Sequence, residues 1–206
     1  MYVKDRRYAN RGRPFEEFVR FANERYEKHK IAVIDKLPTE FIPIRGRDGK
    51  ICSVKVERKS KVDFIGRYKH YPIAIETKNT NTDSIRFDEV QEHQADYMDS
   101  FTEEPGTIGL VFVSFGLKRF FVIPWVFWKA AYDARVRPGG SRTSSVSITA
   151  YGVTWDIPKK FSARIDEIPA EFEIPNHDYT FGLHYLSQAE KYITPSCHHK
   201  NPENDV

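Results

Sequence analysis

The sequence has no hydrophobic run of the roughly 18–20 residues that a membrane-spanning helix needs. It contains only two cysteines, Cys52 and Cys197, which lie too far apart in the chain to indicate a disulfide framework. The first residues, MYVKDRRYANRGRP, lack the apolar core of a signal peptide. These absences argue against a membrane protein and a disulfide-stabilised secreted domain, and we expect a cytoplasmic protein.

The chain also has little net charge, +3 over 206 residues, but that charge is unevenly distributed. Residues 1–80 hold 20 Lys and Arg against 11 Asp and Glu, a net charge of +9, whereas residues 81–206 hold 12 against 18, a net charge of −6. A basic part on an otherwise acidic protein favours a polyanionic partner such as nucleic acid, although a solvated charged surface is the alternative.

Hydrophobic periodicity predicts an α/β or α+β domain with a mixed sheet. The expected elements are, in order, a helix from Pro14 to about Lys28, a strand at 31–34, paired strands at 61–68 and 72–78, a loop at 79–86, a helix from Phe87 to before Pro105, strands at 107–114 and 119–123, a helix from Pro124, a loop at 137–149 and one strand at 147–155. We expect a basic arm over 1–13, a domain over 14–174 and an extension over 175–206 with a disordered end.

Residues 41–61 form an unusual basic segment. A Gly-Arg-Asp-Gly turn signal separates two extended runs, and residues 45–61 carry seven basic and two acidic side chains, a net charge of +5. So few apolar residues cannot bury both faces of a hairpin, and we therefore expect a projecting β-arm. The basic residues of this arm are Arg45, Arg47, Lys50, Lys55, Arg58, Lys59 and Lys61.

The strand pair that follows carries the strongest chemical signal. Glu76 and Lys78 share one face of their strand, and Asp63 on the preceding strand points opposite to its neighbours Val62 and Phe64. Pairing of the two strands would bring both carboxylates together in a way that suits Mg²⁺, with a lysine beside them that can orient or activate a water or stabilise charge on the phosphate. A surface ion-pair cluster is the alternative.

Gln94 lies on the apolar stripe of the second predicted helix. A buried amide must find hydrogen-bond partners there. The side chain either bonds to the backbone as a core glutamine or reaches the cluster of metal, water and phosphate.

Several of these motifs, taken in order, resemble the RecU family of Holliday-junction resolvases, which belong to the PD-(D/E)XK nuclease superfamily. They are Asn10-Arg11-Gly12 with Glu16-Glu17, then IAVIDKLPTE, KVDFIGRY, IAIETK, FDEVQEHQ and FVIP. The resemblance covers about residues 8–130 and, more weakly, extends to about 170. It implies a restriction-endonuclease-like fold and an Mg²⁺-dependent endonuclease that cuts four-way junctions with paired nicks, with Mn²⁺ as a substitute metal.

The resemblance also implies roles for individual residues. Asp63 and Glu76 would bind the metal, Lys78 would be the lysine of the E-x-K element, and Glu16 and Gln94 would assist. Asn10, Arg11 and Arg13 would contact DNA, and the 41–61 arm would be the stalk that enters the junction centre. A homodimer on branched DNA, recombinase or branch-migration proteins as further partners, and a nucleoid location are expected.

Some features depart from the family pattern. Only nine residues precede Asn10, the stalk is short, and Val62 stands where a small polar residue is expected, as in a divergent, phage-type member. Two other functions remain open. The first is a restriction-like or repair nuclease on linear or flap DNA, and the second is a non-catalytic junction-binding protein.

Overall fold

The computed structural model describes residues 13–38, 40–58, 60–140, 143–175 and 181–192, except for the side chains at 40–42 and 54–58. The α-helices in this part of the chain are Arg13–Lys28 (α1), Glu92–Thr102 (α2), Trp125–Arg135 (α3) and Leu186–Ala189 (α4). The strands are Ala32–Lys36 (β1), Glu40–Arg45 (β2), Ile51–Arg58 (β3), Phe64–Tyr68 (β4), Tyr71–Thr80 (β5), Ser84–Arg86 (β6), Ile108–Phe115 (β7), Arg119–Pro124 (β8), Val146–Ala150 (β9), Val153–Ile157 (β10) and Ser162–Arg164 (β11). In these ranges no helix combines the length and the apolar character that crossing a membrane would require.

A five-stranded mixed sheet forms the centre of the fold, in the order β1-β4-β5-β7-β8. β5 and β7 are parallel, with Ile73 opposite Ile108, and α2 lies between them in the chain; the other neighbouring pairs are antiparallel. A parallel pair needs such a crossover, which places a helix against the sheet. The result is the mixed α/β architecture that the sequence predicts.

One face of the sheet is covered by α1 and by the segment 181–192. The apolar stripe of α1 buries Phe15, Val19, Ala22 and Tyr26 completely, as its helical spacing predicts, whereas Phe18 of the same predicted stripe is 47% exposed. The segment 181–192 belongs to the expected extension. Its Tyr185 is fully buried, and the Tyr185 hydroxyl donates a hydrogen bond to Oδ1 of Asn23 in α1. Residues 181–189 are therefore part of the core on that face, whereas Tyr192 packs into the cluster of the opposite face.

The opposite face is covered by α2, α3 and the later β-elements. Trp128 of α3 and Trp155 of β10 are almost fully buried there, and both rings lie edge-on to Phe87. The indole N–H of Trp155 donates to the carbonyl oxygen of Glu167 over 2.8 Å, which satisfies its only donor. Alternation along β5 assigns Ile73 and Ile75 to the α1 face and Ala74 to this one.

The basic segment forms the predicted hairpin. β2 and β3 pair with each other in an antiparallel sheet of their own, and Gly49 adopts a positive φ of 75° in the turn. The apolar side chains near its end are exposed, Ile44 by 44% and Ile51 by 58%. A hairpin that leaves isoleucines in water stands away from the core, as expected from its composition.

Three local predictions are wrong. The second helix begins at Glu92 and not at Phe87, because Phe87–Glu89 form a 3-10 turn and extended residues follow it. The stretch 79–86 is only partly loop, since β5 continues to Thr80 and β6 pairs with β11. The stretch 147–155 is a hairpin, β9–β10, that turns at Tyr151 and Gly152, both with positive φ.

Gly66 is required by the close approach of β1 and β4. A β-carbon at this position would lie 2.1 Å from the carbonyl oxygen of Val33 and 2.6 Å from Cα of Ile34. Backbone atoms cannot move aside as a side chain can. Gly66→Ala is therefore expected to lower the free energy of unfolding by about 1–3 kcal/mol or more, measured by chemical denaturation.

The matched control is Gly46→Ala in the hairpin turn. The atom nearest to its new β-carbon is Oδ1 of Asp48, 3.0 Å away at the end of an exposed side chain that can rotate. This variant should stay within about 0.5 kcal/mol of the wild type. Equal stability of Gly66→Ala and the wild type would contradict the close approach of the two strands.

Candidate active site

A cleft of about 410 Å³ opens at the carboxyl-terminal half of β5. All five predicted catalytic residues line it, although they come from four separate parts of the chain. The complete lining is Glu16, Asp63, Glu76, Thr77, Lys78, Asn79, Thr80, Asn81, Thr82, Glu89 and Gln94. The cleft lies where β5 extends past the start of β4, so that no β4 residue covers the end of β5.

Glu76 is the most buried acid of the cleft, with only 1% of its side chain exposed. Its Oε1 accepts hydrogen bonds from Nζ of Lys78 over 2.6 Å and from Nε2 of Gln94 over 2.7 Å. Its Oε2 is buried and has no hydrogen-bond partner among the described residues. A buried carboxylate oxygen without a partner is costly, and a ligand at this position would remove that cost.

Burial also changes the acidity of Glu76. Loss of solvent raises the pKa of its carboxyl group from 4.5 to about 8. The charge of Lys78 opposes this rise, the nearby carboxylate of Asp63 adds to it, and the hydrogen bonds from Lys78 and Gln94 oppose it further. The site is thus built around an acid that its surroundings keep from ionising easily.

Asp63 lies immediately before β4 and caps the end of the sheet. Its Oδ2 accepts from the backbone N–H of Thr77 over 2.8 Å and from the Thr77 hydroxyl over 2.6 Å. Burial raises the pKa of the Asp63 carboxyl group, and the two bonds from Thr77 oppose that rise. The Asp63 side chain is therefore held against Thr77, the neighbour of Glu76, and lines the same cleft as Glu76.

The predicted alternation around Asp63 is wrong in detail. Val62 packs into the core cluster on the α2 face, whereas Phe64 packs into the cluster on the α1 face. The reason is that residues 61–63 form a bend and β4 begins only at Phe64. Asp63 reaches the cleft because the chain turns there and not because a strand alternates.

Gln94 connects the start of α2 to Glu76 and Lys78. Its Oε1 accepts the backbone N–H of Gln91 over 3.0 Å, which forms a capping box, and Nζ of Lys78 over 3.3 Å. Its Nε2 donates to Glu76. Gln94 thus bonds to the backbone, as a core glutamine would, and also to the Glu76 carboxylate, while contact with metal, water or phosphate stays a prediction.

Glu16 lies on α1 at the rim of the same cleft, 24% exposed, and its Oε2 lies 2.6 Å from Nζ of Lys36. Sequence reasoning missed Lys36, which pairs with Glu16, and six lining residues: Thr77, Asn79, Thr80, Asn81, Thr82 and Glu89. Lys36 had no signal in the sequence, because only the register of β1 and β4, with Lys36 opposite Phe64, places it next to Asp63. Glu89 had none, since it lies in a 3-10 turn that periodicity assigned to a helix.

The donor set fits a hard divalent cation. Among the described residues no three His, Cys, Asp or Glu side chains are close enough to hold a metal ion by themselves. Mg²⁺, however, is commonly held by one or two carboxylates and completes its coordination with water and phosphate oxygens. The partnerless Oε2 of Glu76 and the neighbouring Asp63 carboxylate are ligands of that kind.

The predicted DNA-contacting residues are described to different extents. Arg13 at the start of α1, Arg45, Arg47 and Lys50 at the end of the hairpin, and Lys61 at its base are all exposed. Lys61 also lies over the ring of Tyr97, 5.2 Å from its centre. Lys55 and Arg58 lie in β3, but nothing is described of their side chains, and Asn10, Arg11 and Lys59 lie outside the described residues.

The five-stranded mixed sheet, the flanking helices and the acidic cleft on β5 define an α/β domain of the restriction-endonuclease-like class. The family model RecU, described as Recombination protein U, matches residues 10–170. The chain belongs to the RecU family.

Individual relatives agree with this assignment, and each is named Holliday junction resolvase RecU. The Streptococcus agalactiae protein is 30% identical over 124 residues, and the Streptococcus mutans protein is 32% identical over 124 residues. Each alignment covers 57% of this chain and 62% of the relative, so that it spans less than two thirds of those relatives' length. The protein of Lactobacillus delbrueckii subsp. bulgaricus is 28% identical over 143 residues, which cover 63% of this chain and 68% of the relative.

Replacing Glu76 by Gln should stabilise the metal-free protein at high pH. Because the folded pKa of about 8 exceeds the ordinary 4.5, the stability that protonated Glu76 contributes is complete below pH 4.5 and is lost as the pH rises through 8. Gln cannot ionise and can still accept the bond from Gln94. In EDTA, the melting temperature of Glu76→Gln relative to wild type should therefore be higher by a few degrees at about pH 9 than at about pH 5.5.

Glu103→Gln is the control, because its side chain lies in water at the end of α2. Its melting temperature relative to wild type should not differ between the two pH values. If the melting temperature of Glu76→Gln relative to wild type were also the same at both pH values, burial of Glu76 would have no effect on its ionisation.

Proposed function

We propose that this protein is an endonuclease that resolves four-way DNA junctions by metal-dependent hydrolysis of phosphodiesters. The proposal is carried by the convergence of Asp63, Glu76 and Lys78 in one cleft, with the last two in direct contact. Membership of the RecU family, whose relatives bear the name Holliday junction resolvase, supports the four-way junction as the substrate. The exposed basic hairpin supports a DNA partner.

Asp63 and Glu76 would hold Mg²⁺, for which Mn²⁺ would substitute. When bound, the metal would supply positive charge beside a non-bridging phosphate oxygen and lower the pKa of a water molecule. Lys78 is fixed between Glu76 and Gln94, so that its Nζ occupies one position from which it can orient the attacking water or donate to the phosphate. Attack at phosphorus with departure of the 3′ oxygen would leave a 5′-phosphate and a 3′-hydroxyl.

Glu16 and Gln94 would assist in different ways. Gln94 holds Glu76 by a 2.7 Å hydrogen bond and thereby positions the buried carboxylate. Glu16 lies at the rim, where its carboxylate can accept a hydrogen bond from the attacking water. Each keeps a reacting group in place and is not itself the nucleophile.

The symmetry of the proposed substrate predicts the oligomeric state of the enzyme. A four-way junction is close to two-fold symmetric, so that paired nicks need two active sites, which a C₂ homodimer would supply. The basic hairpins would enter the crowded phosphates at the junction centre. Such an enzyme would act in DNA recombination and repair in the cytoplasm at the nucleoid, next to recombinase or branch-migration proteins.

Asp63→Asn and Glu76→Gln are expected to slow cleavage of a synthetic four-way junction in Mg²⁺ by at least about 100-fold, because each removes a charge that would hold the metal. Binding of the junction should be retained, since neither change removes a positive charge. Cleavage is measured on labelled strands, and binding by gel shift in Ca²⁺ or EDTA.

Asp166→Asn, an exposed carboxylate at the end of β11, should cut at the wild-type rate. Undiminished cleavage by Asp63→Asn would rule out the assigned site. Wild-type protein that cuts linear duplex as fast as junctions would instead be a restriction-like or repair nuclease, and one that binds without cutting would be a non-catalytic junction-binding protein.

The hairpin should give the preference for junctions. A variant with Arg45, Arg47 and Lys50 changed to Ser should bind four-way junctions more weakly, because these exposed cations would neutralise phosphates. If all three contact DNA, the slope of log K against log salt should fall in magnitude by up to about 2.7. Affinity for linear duplex of the same length should change less.

The matched control removes the same number of exposed cations elsewhere, with Lys28, Lys118 and Lys159 changed to Ser. This protein should keep both its junction affinity and its salt slope. If both triple variants lose affinity equally, net charge and not the hairpin governs binding.

A further inference from the structure

The cleft has an unfavourable charge for a DNA strand. Four carboxylates line it, and the one cation among its described lining residues, Lys78, is already paired with Glu76. Lys36 at the rim is likewise paired, with Glu16. A bound metal would offset charge at the scissile phosphate, but the phosphates on either side would face acids. Within the cleft itself, the side chains left to contact those phosphates are therefore neutral hydrogen-bond donors.

Neutral donors are concentrated on one side of the cleft. The end of β5 and the turn after it read Asn79-Thr80-Asn81-Thr82, and all four residues line the cleft. Amide and hydroxyl side chains of this kind are regular partners of phosphate oxygens in DNA complexes. This lip, residues 79–82, directly follows the catalytic Lys78.

The two threonines use their hydroxyl groups to hold the turn. The Thr82 hydroxyl donates to the carbonyl oxygen of Ser84 over 3.0 Å, and the Thr80 hydroxyl oxygen accepts the backbone N–H of Thr82 over 3.2 Å. The two hydroxyl oxygens are 3.0 Å apart. Since the Thr82 proton points to Ser84, Thr80 must donate to Thr82. Neither hydroxyl keeps a proton for a ligand.

Both sides of the turn are anchored to the domain. The carbonyl oxygen of Thr80 accepts the backbone N–H of Gly116 over 2.7 Å, and that of Asp83 accepts the N–H of Ile165 over 2.9 Å. Asn81 lies between these anchors. Its side chain is exposed and makes no hydrogen bond to any residue that the structure describes. The backbone around Asn81 is thus anchored on the lip, and the two N–H groups of its carboxamide have no partner among the described residues.

We propose that Asn81 is a DNA-contacting residue whose carboxamide donates to a phosphate oxygen next to the scissile phosphate. The proposal rests on the function proposed above, because it takes the cleft to bind a DNA strand. Its neutral side chain suits this position, since it can contact phosphate without pairing with the surrounding carboxylates. Unlike the contacts of the hairpin, this contact releases no counterion, and its contribution should be independent of salt.

The test compares Asn81→Ala, Asn81→Asp and Asn81→Lys in steady-state cleavage of a synthetic four-way junction and in junction binding at several salt concentrations. Asn81→Ala should raise KM about fivefold, the loss of one neutral hydrogen bond, with kcat within about twofold of wild type and an unchanged salt slope. Asn81→Asp, which keeps the shape but loses the donors and adds a negative charge, should raise KM further. Asn81→Lys should steepen the slope by about 0.9.

Ser145→Ala, an exposed polar position outside the cleft, is the control and should match wild type. Wild-type KM for Asn81→Ala, in a protein whose parent cuts junctions normally, would overturn this inference alone. A raised KM with a flatter salt slope would also overturn it, because loss of a neutral donor removes no counterion. A parent protein that neither binds nor cuts the junction would instead overturn the proposed function.

Discussion

The burial of the Glu76 carboxylate is the constraint on which the site depends. An acid that is 1% exposed is tolerated only because Lys78 and Gln94 bond to its Oε1, and its Oε2 has no partner among the described residues. The same burial raises the pKa of Glu76 to about 8. Burial of this carboxylate therefore lowers the stability of the folded protein, and a cation in the cleft would reduce that cost. Such a loss of stability at a functional site is common in proteins.

This constraint extends into the fold through the elements that supply the partners. β5 carries Glu76 and Lys78 at the centre of the sheet, and the capping box at Gln94 ties the first turn of α2 to them. Asp63 lies just before the start of β4 and bonds to Thr77, and the end of β5 beyond this point is open as one wall of the cleft. The geometry of the site therefore depends directly on the correct pairing of the strands.

Much of the fold was predictable because its elements are strongly periodic. The stripe of α1, the β4–β5 pair and the β7–β8 pair follow from local patterns. The wrong predictions of secondary structure lie where hydrophobic patterns of two different periods meet in the sequence. Phe87 and Val90 are buried as a helix stripe would be, yet they precede α2, because a 3-10 turn also buries residues three apart. The β9–β10 hairpin was missed because its turn, Tyr151-Gly152, lies inside one apparent strand.

The sequence by itself determined which residue types stand at which spacing: the acids and the lysine on neighbouring strands, the glutamine on the next helix, and the basic hairpin. Only the tertiary structure decided which of them meet. Glu16 reaches the cleft from α1 and pairs with Lys36 of β1, Glu76 is buried from solvent, and Asn81 lines the same cleft as the acids. The physical reason is that periodicity reports local backbone preference, whereas burial and pKa depend on long-range packing.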